Sequence, residues 1–177
     1  EGGFVKVDGH LRTSAADVYA IGDIIGPPLL AHVASSQGVH AARHAAGNDL
    51  PEYDARWIPA AVFTHPQVAS VGLRERDMRG QDGEMAIGRF PFSASGKAVA
   101  EGEIAGFVKV IVEQSSDRLL GAHVVGPGAS ELIAELTMIA RSAVPAREVL
   151  QTLHAHPTLS ESIQEAFGAA LGEGIHI

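Results

Sequence analysis

Residues 3–13 alternate weakly between apolar and polar positions and carry VDGH at 7–10, which predicts a tight turn between two short strands. DVYAIGD at 17–23 is an apolar run of strand length that ends in Gly22 and Asp23, the pattern of a buried parallel strand. GPPLL then interrupts the chain, and apolar residues return at helical spacing from Leu30 to about Ala46, stopping at Gly47-Asn48. Strand, loop and helix together have the form of the end of an α/β nucleotide-binding domain. Only one such unit is present, and a lone strand has no sheet to pair with. GNDLPEYDARWIP at 47–59 is polar, contains proline and reads as a linker.

Beyond the linker the periodicity changes. AAVFT and VASVG are short strands on either side of the turn HPQ, followed by a charged helix at about 73–80. Further strands are predicted at 85–92, 105–113 and 118–125, the last two joined by the polar turn QSSD. SELIAELTMIARS places Leu132, Ile133, Leu136, Ile139 and Ala140 on one helical face. A short helix near 146–152 and a last helix after HAHPTLSE at 154–161 complete the pattern. Hairpin strands followed by clustered helices predict an α+β fold: an antiparallel sheet with helices, preceded by the strand–helix unit of an α/β domain. The expected organisation is residues 1–50, a linker at 51–58 and a second domain at 59–177.

The opening EGGFVKVDGHLRTS lacks an initiator methionine and begins in what reads as a strand already under way, so the chain is expected to be cut from a longer protein. With 13 Lys and Arg against 21 Asp and Glu the net charge is −8, and no basic run interleaves with aromatics. Neither a nucleic acid nor an anionic membrane surface is an expected partner. No apolar run reaches the length of a membrane span and no signal peptide is visible, so a soluble, cytoplasmic protein is expected. Cysteine is absent, which removes disulfides, thiolate metal sites and a cysteine nucleophile from this chain.

HAHPTLSE supports three chemical readings. Pro157 with Thr158-Leu159-Ser160-Glu161 reads as a helix start with a capping box. His154 and His156, with His176, offer a weak metal reading without a local carboxylate or thiolate, and no metal site is expected. His156 can also serve as a general base, with Glu161 as the carboxylate that orients it.

Four ordered stretches carry a resemblance to a known family: TSAADVYAIGD…PLLAH, FTHPQVASVGL, GFVKVIVE…DRLLGAHVVGPGASELI and HAHPTLSE. In this order they resemble the flavin disulfide reductases, and the wording, with the closing IHI, looks like their dihydrolipoamide dehydrogenase branch. The resemblance covers essentially the whole chain. It implies that residues 1–50 are the C-terminal remnant of an FAD-binding domain and that 59–177 form the dimerisation (interface) domain. The flavin domain's start, a redox cysteine pair and an NAD domain would lie upstream.

The resemblance implies a role for each matched residue. Asp23 corresponds to the residue that holds the flavin's ribityl chain, whereas its residues alone read equally as a turn aspartate. Leu29, Leu30, Ala31 and His32 match the flavin-contacting segment at the next helix start, where backbone N–H groups favour negative charge. Many relatives carry acidic residues where this chain has ASSQG at 34–38. His156 matches the catalytic base and Glu161 its partner; within the family this histidine serves the disulfide of the other subunit, so a homodimer through about 59–177 is implied. The implied cofactors are FAD and NAD. The implied partners are lipoyl-bearing acyltransferase subunits of 2-oxo acid dehydrogenase complexes. A glutathione reductase-like sibling and a non-catalytic interaction module are the competing readings. The remaining histidines, His10, His40, His44, His65 and His123, are expected to be packed or solvated, and the role of His154 stays open.

Overall fold

The computed structural model describes residues 2–78 and 84–176. Residues 79–80 of the helix expected at 73–80, and Ile177 of the closing IHI, lie outside the described residues. The chain divides between Arg56 and Trp57 into two compact units.

The first unit is built around helix α1, Ala31–Ala45. Its start is fixed by the prolines at 27–28 and by the extended backbone of Leu30 (φ −135°, ψ 128°). Its end is set by Gly47 at φ +84°, a left-handed turn that suits glycine, and by the Asn48 amide, which donates to the Arg43 carbonyl at 2.8 Å. Val33, Gln37 and Ala41, four residues apart, form its buried stripe. Residues 17–23 do not form the expected strand. Tyr19 makes only an isolated antiparallel bridge with Arg12, and Val18 stays 49% exposed. A strand needs a ladder on at least one side, and this unit offers no sheet. The turn at VDGH is present: the Asp8 carboxylate accepts the N–H groups of His10 and Arg12, both at 2.9 Å.

The second unit is an antiparallel five-stranded sheet in the order β1-β2-β5-β4-β3. The strands are β1 Ala60–Val62, β2 Gln67–Gly72, β3 Met85–Pro91, β4 Phe107–Glu113 and β5 Arg118–Gly126. β4 and β5 form the hairpin expected from QSSD, pairing Phe107 with Val125 through to Glu113 with Arg118, with a bulge at Ile111/Val112. Val108, Val110 and Val112 alternate onto one face with Ala122 and Val124, and all five are fully or almost fully buried. Helix α3, Ala129–Arg141, packs its stripe of Leu132, Ile133, Leu136, Ile139 and Ala140 against β2 and β5. Helix α4, Ala146–Gln151, leads into the HAHPTLSE segment, and helix α5, Glu161–Leu171, buries Ile163, Ala166 and Phe167 against β3 and β4. Gly88 permits this close packing, because a Cβ there would sit 1.9 Å from the Ala166 carbonyl oxygen.

Two elements differ from the pattern. The charged helix after β2 is only a 3-10 turn, Glu75–Met78, held by the Asp77 carboxylate on the Arg74 N–H at 3.0 Å. A short helix α2, Gly96–Glu101, follows β3 where none is expected; Ser95 caps the Ala98 N–H at 3.4 Å and Gly102 ends it at φ +74°. No helix among the described residues is long and apolar enough to cross a membrane.

Candidate functional site

The HAHPTLSE segment runs without regular structure from the end of α4 to the first residue of α5. Burial of Ile163 and Phe167, each at 0% exposure, fixes α5 on the sheet and thereby fixes Glu161 at its start. Glu161 faces two groups at once. Its Oε1 lies 2.8 Å from His156 Nδ1, and its Oε2 accepts the Thr158 N–H at 2.7 Å. The second bond is one half of a capping box. The other half is missing, because the Thr158 hydroxyl donates to the Ala155 carbonyl at 2.7 Å instead. Cap and dyad are therefore not rivals: one carboxylate performs both tasks.

Burial pushes the Glu161 carboxyl upward, but the Thr158 N–H and the His156 imidazole together hold it below its ordinary value. An ionised carboxylate only accepts, so the hydrogen of a neutral His156 ring belongs on Nδ1 and the lone pair on Nε2. The ring's side chain is 78% exposed, and Nε2 meets no hydrogen-bond partner among the described residues. This geometry presents a proton acceptor to an incoming group. Beside it lies a pocket of about 660 Å³, whose walls include Phe90, Leu150, Arg147, Glu165 and His176.

The other histidines of this unit are paired separately. His154, 6% exposed, has Nε2 2.9 Å from Glu135 Oε1 on α3 and donates from Nδ1 to the Thr152 carbonyl at 3.0 Å. It ties the segment ahead of His156 to the core. His176 Nδ1 sits 2.5 Å from Glu165 Oε1. His154, His156 and His176 thus do not converge, and no group of three or more His, Asp or Glu suited to a metal occurs among the described residues. His65 is exposed and 3.8 Å from Glu103, while His123 is half-buried and pushed down by burial and by Lys109.

In the first unit, Gly22–Ile25 form a 3-10 turn with Gly22 buried at φ +70°. Asp23 is exposed, and its carboxylate has no hydrogen-bond partner among the described residues. Leu29 is 57% exposed, Leu30 half-buried, and Ala31 and His32 are exposed at the first positions of α1. The Ala31 N–H finds no acceptor among the described residues, as expected of a helix start. These features fit a polar ligand: an uncommitted carboxylate, a helix N-terminus and an apolar shelf. Gln37, not singled out from the sequence, accepts the buried Gly22 N–H on its Oε1 at 2.7 Å. His10, His40 and His44 are packed. His10 stacks on His44 at 4.5 Å, Tyr19 Oη lies 2.8 Å from His44 Nδ1, and burial pushes His40 down, helped by the charges of its two neighbours.

Comparison with known proteins gives consistent matches to both units. The dimerisation domain of the pyridine nucleotide-disulphide oxidoreductases matches residues 58–167, and the pyridine nucleotide-disulphide oxidoreductase family matches residues 1–38. A dihydrolipoyl dehydrogenase of Haloferax volcanii is 43% identical over 175 residues, covering 98% of this chain and 37% of that protein. One from Thermus scotoductus is 45% identical over 178 residues, covering 100% of this chain and 38% of its own. The chain thus spans well under half the length of these relatives. The crystal structure of LpdA from Mycobacterium tuberculosis superposes with a TM-score of 0.88 at 34% identity, over 94% of this chain and 36% of that one. The HOCl-induced flavoprotein disulfide reductase RclA from Escherichia coli shares the fold, with a TM-score of 0.88 at 24% identity, over 94% of this chain and 38% of its own.

Proposed function

The chain belongs to the pyridine nucleotide-disulphide oxidoreductase family, and from that premise we propose that it is the C-terminal part of a dihydrolipoyl dehydrogenase. Residues 1–50 are then the end of the FAD-binding domain, 51–58 the linker and 59–177 the dimerisation domain. The complete protein oxidises protein-bound dihydrolipoyl groups with NAD⁺ in the cytoplasm. It works as a homodimer and receives its substrate from the acyltransferase subunits of 2-oxo acid dehydrogenase complexes. The observation that carries this reading is the His156–Glu161 pair, with Nδ1 2.8 Å from the carboxylate and Nε2 facing outward.

A dihydrolipoyl thiol attacks a disulfide only as its thiolate. His156 Nε2 takes the thiol proton, and Glu161 stabilises the resulting imidazolium from the other side of the ring. The disulfide belongs to the partner subunit, since this chain has no cysteine. FAD, when bound, carries the electrons from that disulfide onward to NAD⁺. Asp23 accepts hydrogen bonds from its ribityl hydroxyls, while Leu29, Leu30, Ala31 and His32 line the flavin edge, with α1 supplying N–H groups and positive potential.

The test is turnover by the complete, purified enzyme. Reduction of NAD⁺ by dihydrolipoamide, with negligible NADPH-dependent reduction of glutathione disulfide, is the expected result. The reverse preference identifies a glutathione reductase-like sibling, and no turnover of either with FAD bound removes the substrate assignment.

A further inference from the structure

Gln37 is the single buried polar side chain among the described residues of the first unit, at 7% exposure. A buried amide has to be paired, and Gln37 is paired with one backbone group: the N–H of Gly22 at 2.7 Å. Two more residues of the same helical face touch the same turn. The Ala34 Cβ lies 3.0 Å from where a Gly22 Cβ would stand, and a Cβ at Gly38 would meet Ile21 Cδ1 at 3.2 Å. Positions 34, 37 and 38 of α1 thus form a cradle for Ile21-Gly22, with spacing that puts all three on one side of the helix. Gly22 has φ +70°, so its N–H is turned away from any ladder and the Gln37 oxygen is its acceptor.

The residue after Gly22 is Asp23, whose carboxylate is exposed and uncommitted. The helix that clamps the backbone at 22 is also the helix whose first turn contains Ala31 and His32. One rigid element therefore sets both the carboxylate and the helix N-terminus. We propose that Gln37 is a positioning residue for flavin binding, acting through the Gly22 N–H to hold Asp23 where it meets a sugar-chain hydroxyl. The proposal rests on the flavin reading above.

The experiment uses apoprotein of the complete enzyme titrated with FAD, in four forms: wild type, Gln37→Leu, Asp23→Ala and the double variant. Gln37→Leu removes the acceptor at similar volume and raises the FAD dissociation constant about tenfold. If Gln37 acts through Asp23, the same substitution in the Asp23→Ala background changes it by about twofold or less. A merely structural role gives equal losses in both backgrounds and overturns the proposal, as does wild-type affinity in Gln37→Leu. Wild-type apoprotein that binds no FAD overturns the flavin reading itself, and this proposal with it. Should Gln37→Leu not fold, Gln37→Glu and Gln37→Asn decide. Glutamate keeps an oxygen at the same reach and holds FAD within about threefold, whereas the shorter asparagine loses about tenfold; equal affinity in the two contradicts the proposal.

Discussion

Glu161→Gln is nearly isosteric, yet it should harm the site more than the larger truncation Glu161→Ala. Glutamate offers two acceptors, one to the Thr158 N–H at 2.7 Å and one to His156 Nδ1 at 2.8 Å. Glutamine offers one oxygen and one NH₂. The Thr158 N–H can only donate, so the amide oxygen turns toward it. The reversed amide sets donor against donor and leaves that N–H unpaired, at about 1–3 kcal/mol. The NH₂ then faces Nδ1, which must accept, and the hydrogen of the neutral ring moves to Nε2. The outward nitrogen is then unable to take a proton. In Glu161→Ala the ring loses orientation and charge support, but its tautomer is free. For dithiol-dependent NAD⁺ reduction by the complete enzyme, a loss of about 10²–10⁴ is expected for Gln. For Ala a loss of about 10² or less is expected. Long-range ¹H–¹⁵N spectra of the His156 ring in this chain read the cause directly, with Nδ1–H in the wild type and Nε2–H in Glu161→Gln. An unchanged tautomer, or an alanine variant slower than the glutamine one, refutes the reasoning.

Burial and two neighbouring imidazoles push His40 below its ordinary value of 6.5, so the folded first unit favours the neutral ring. That contribution is complete above pH 6.5 and is lost as pH falls from there toward the folded-state value. His40→Gln should flatten this acid limb, and identical unfolding midpoints for both proteins at pH 8 and pH 5.5 would contradict it. Glu161 is depressed from 4.5, so its contribution to the second unit is present above that pH and fades as pH falls below it; Glu161→Gln should blunt this loss in urea titrations at stepped pH. Phe167 is fully buried, and Phe167→Ala should cost the second unit about 3–5 kcal/mol by urea unfolding; a cost under about 1 kcal/mol would mean that α5 is not seated on the sheet as described.

Periodicity was legible wherever neighbours in sequence are neighbours in structure. The α3 stripe from Leu132 to Ala140 and the β4–β5 hairpin across residues 114–117 follow from spacing and turn chemistry. Residues 17–23 read as a strand because their composition suits a sheet, but no strand lies beside them among the described residues. Helix α2 escaped notice because its signals, a capping Ser95 and a terminal Gly102, bracket only one and a half turns of weak amphipathicity. At the site, His156 and Glu161 are five residues apart, so the pair could be proposed from the motif. The partners of His154 and Gly22 could not, because Glu135 lies 19 residues from the first and Gln37 lies 15 from the second. Gln37 stood out only as a departure from an acidic pattern; its buried contact is a property of the folded helix.

The measurement closest to the central claim is dithiol oxidation by the complete enzyme carrying His156→Gln. Glutamine keeps a polar side chain at the site but removes a group that titrates near neutrality. Turnover of dihydrolipoamide with NAD⁺ should fall by about two to four orders of magnitude, with FAD content and dimer mass unchanged. Wild-type turnover in a dimer that retains its FAD would contradict the assignment of His156 as the base.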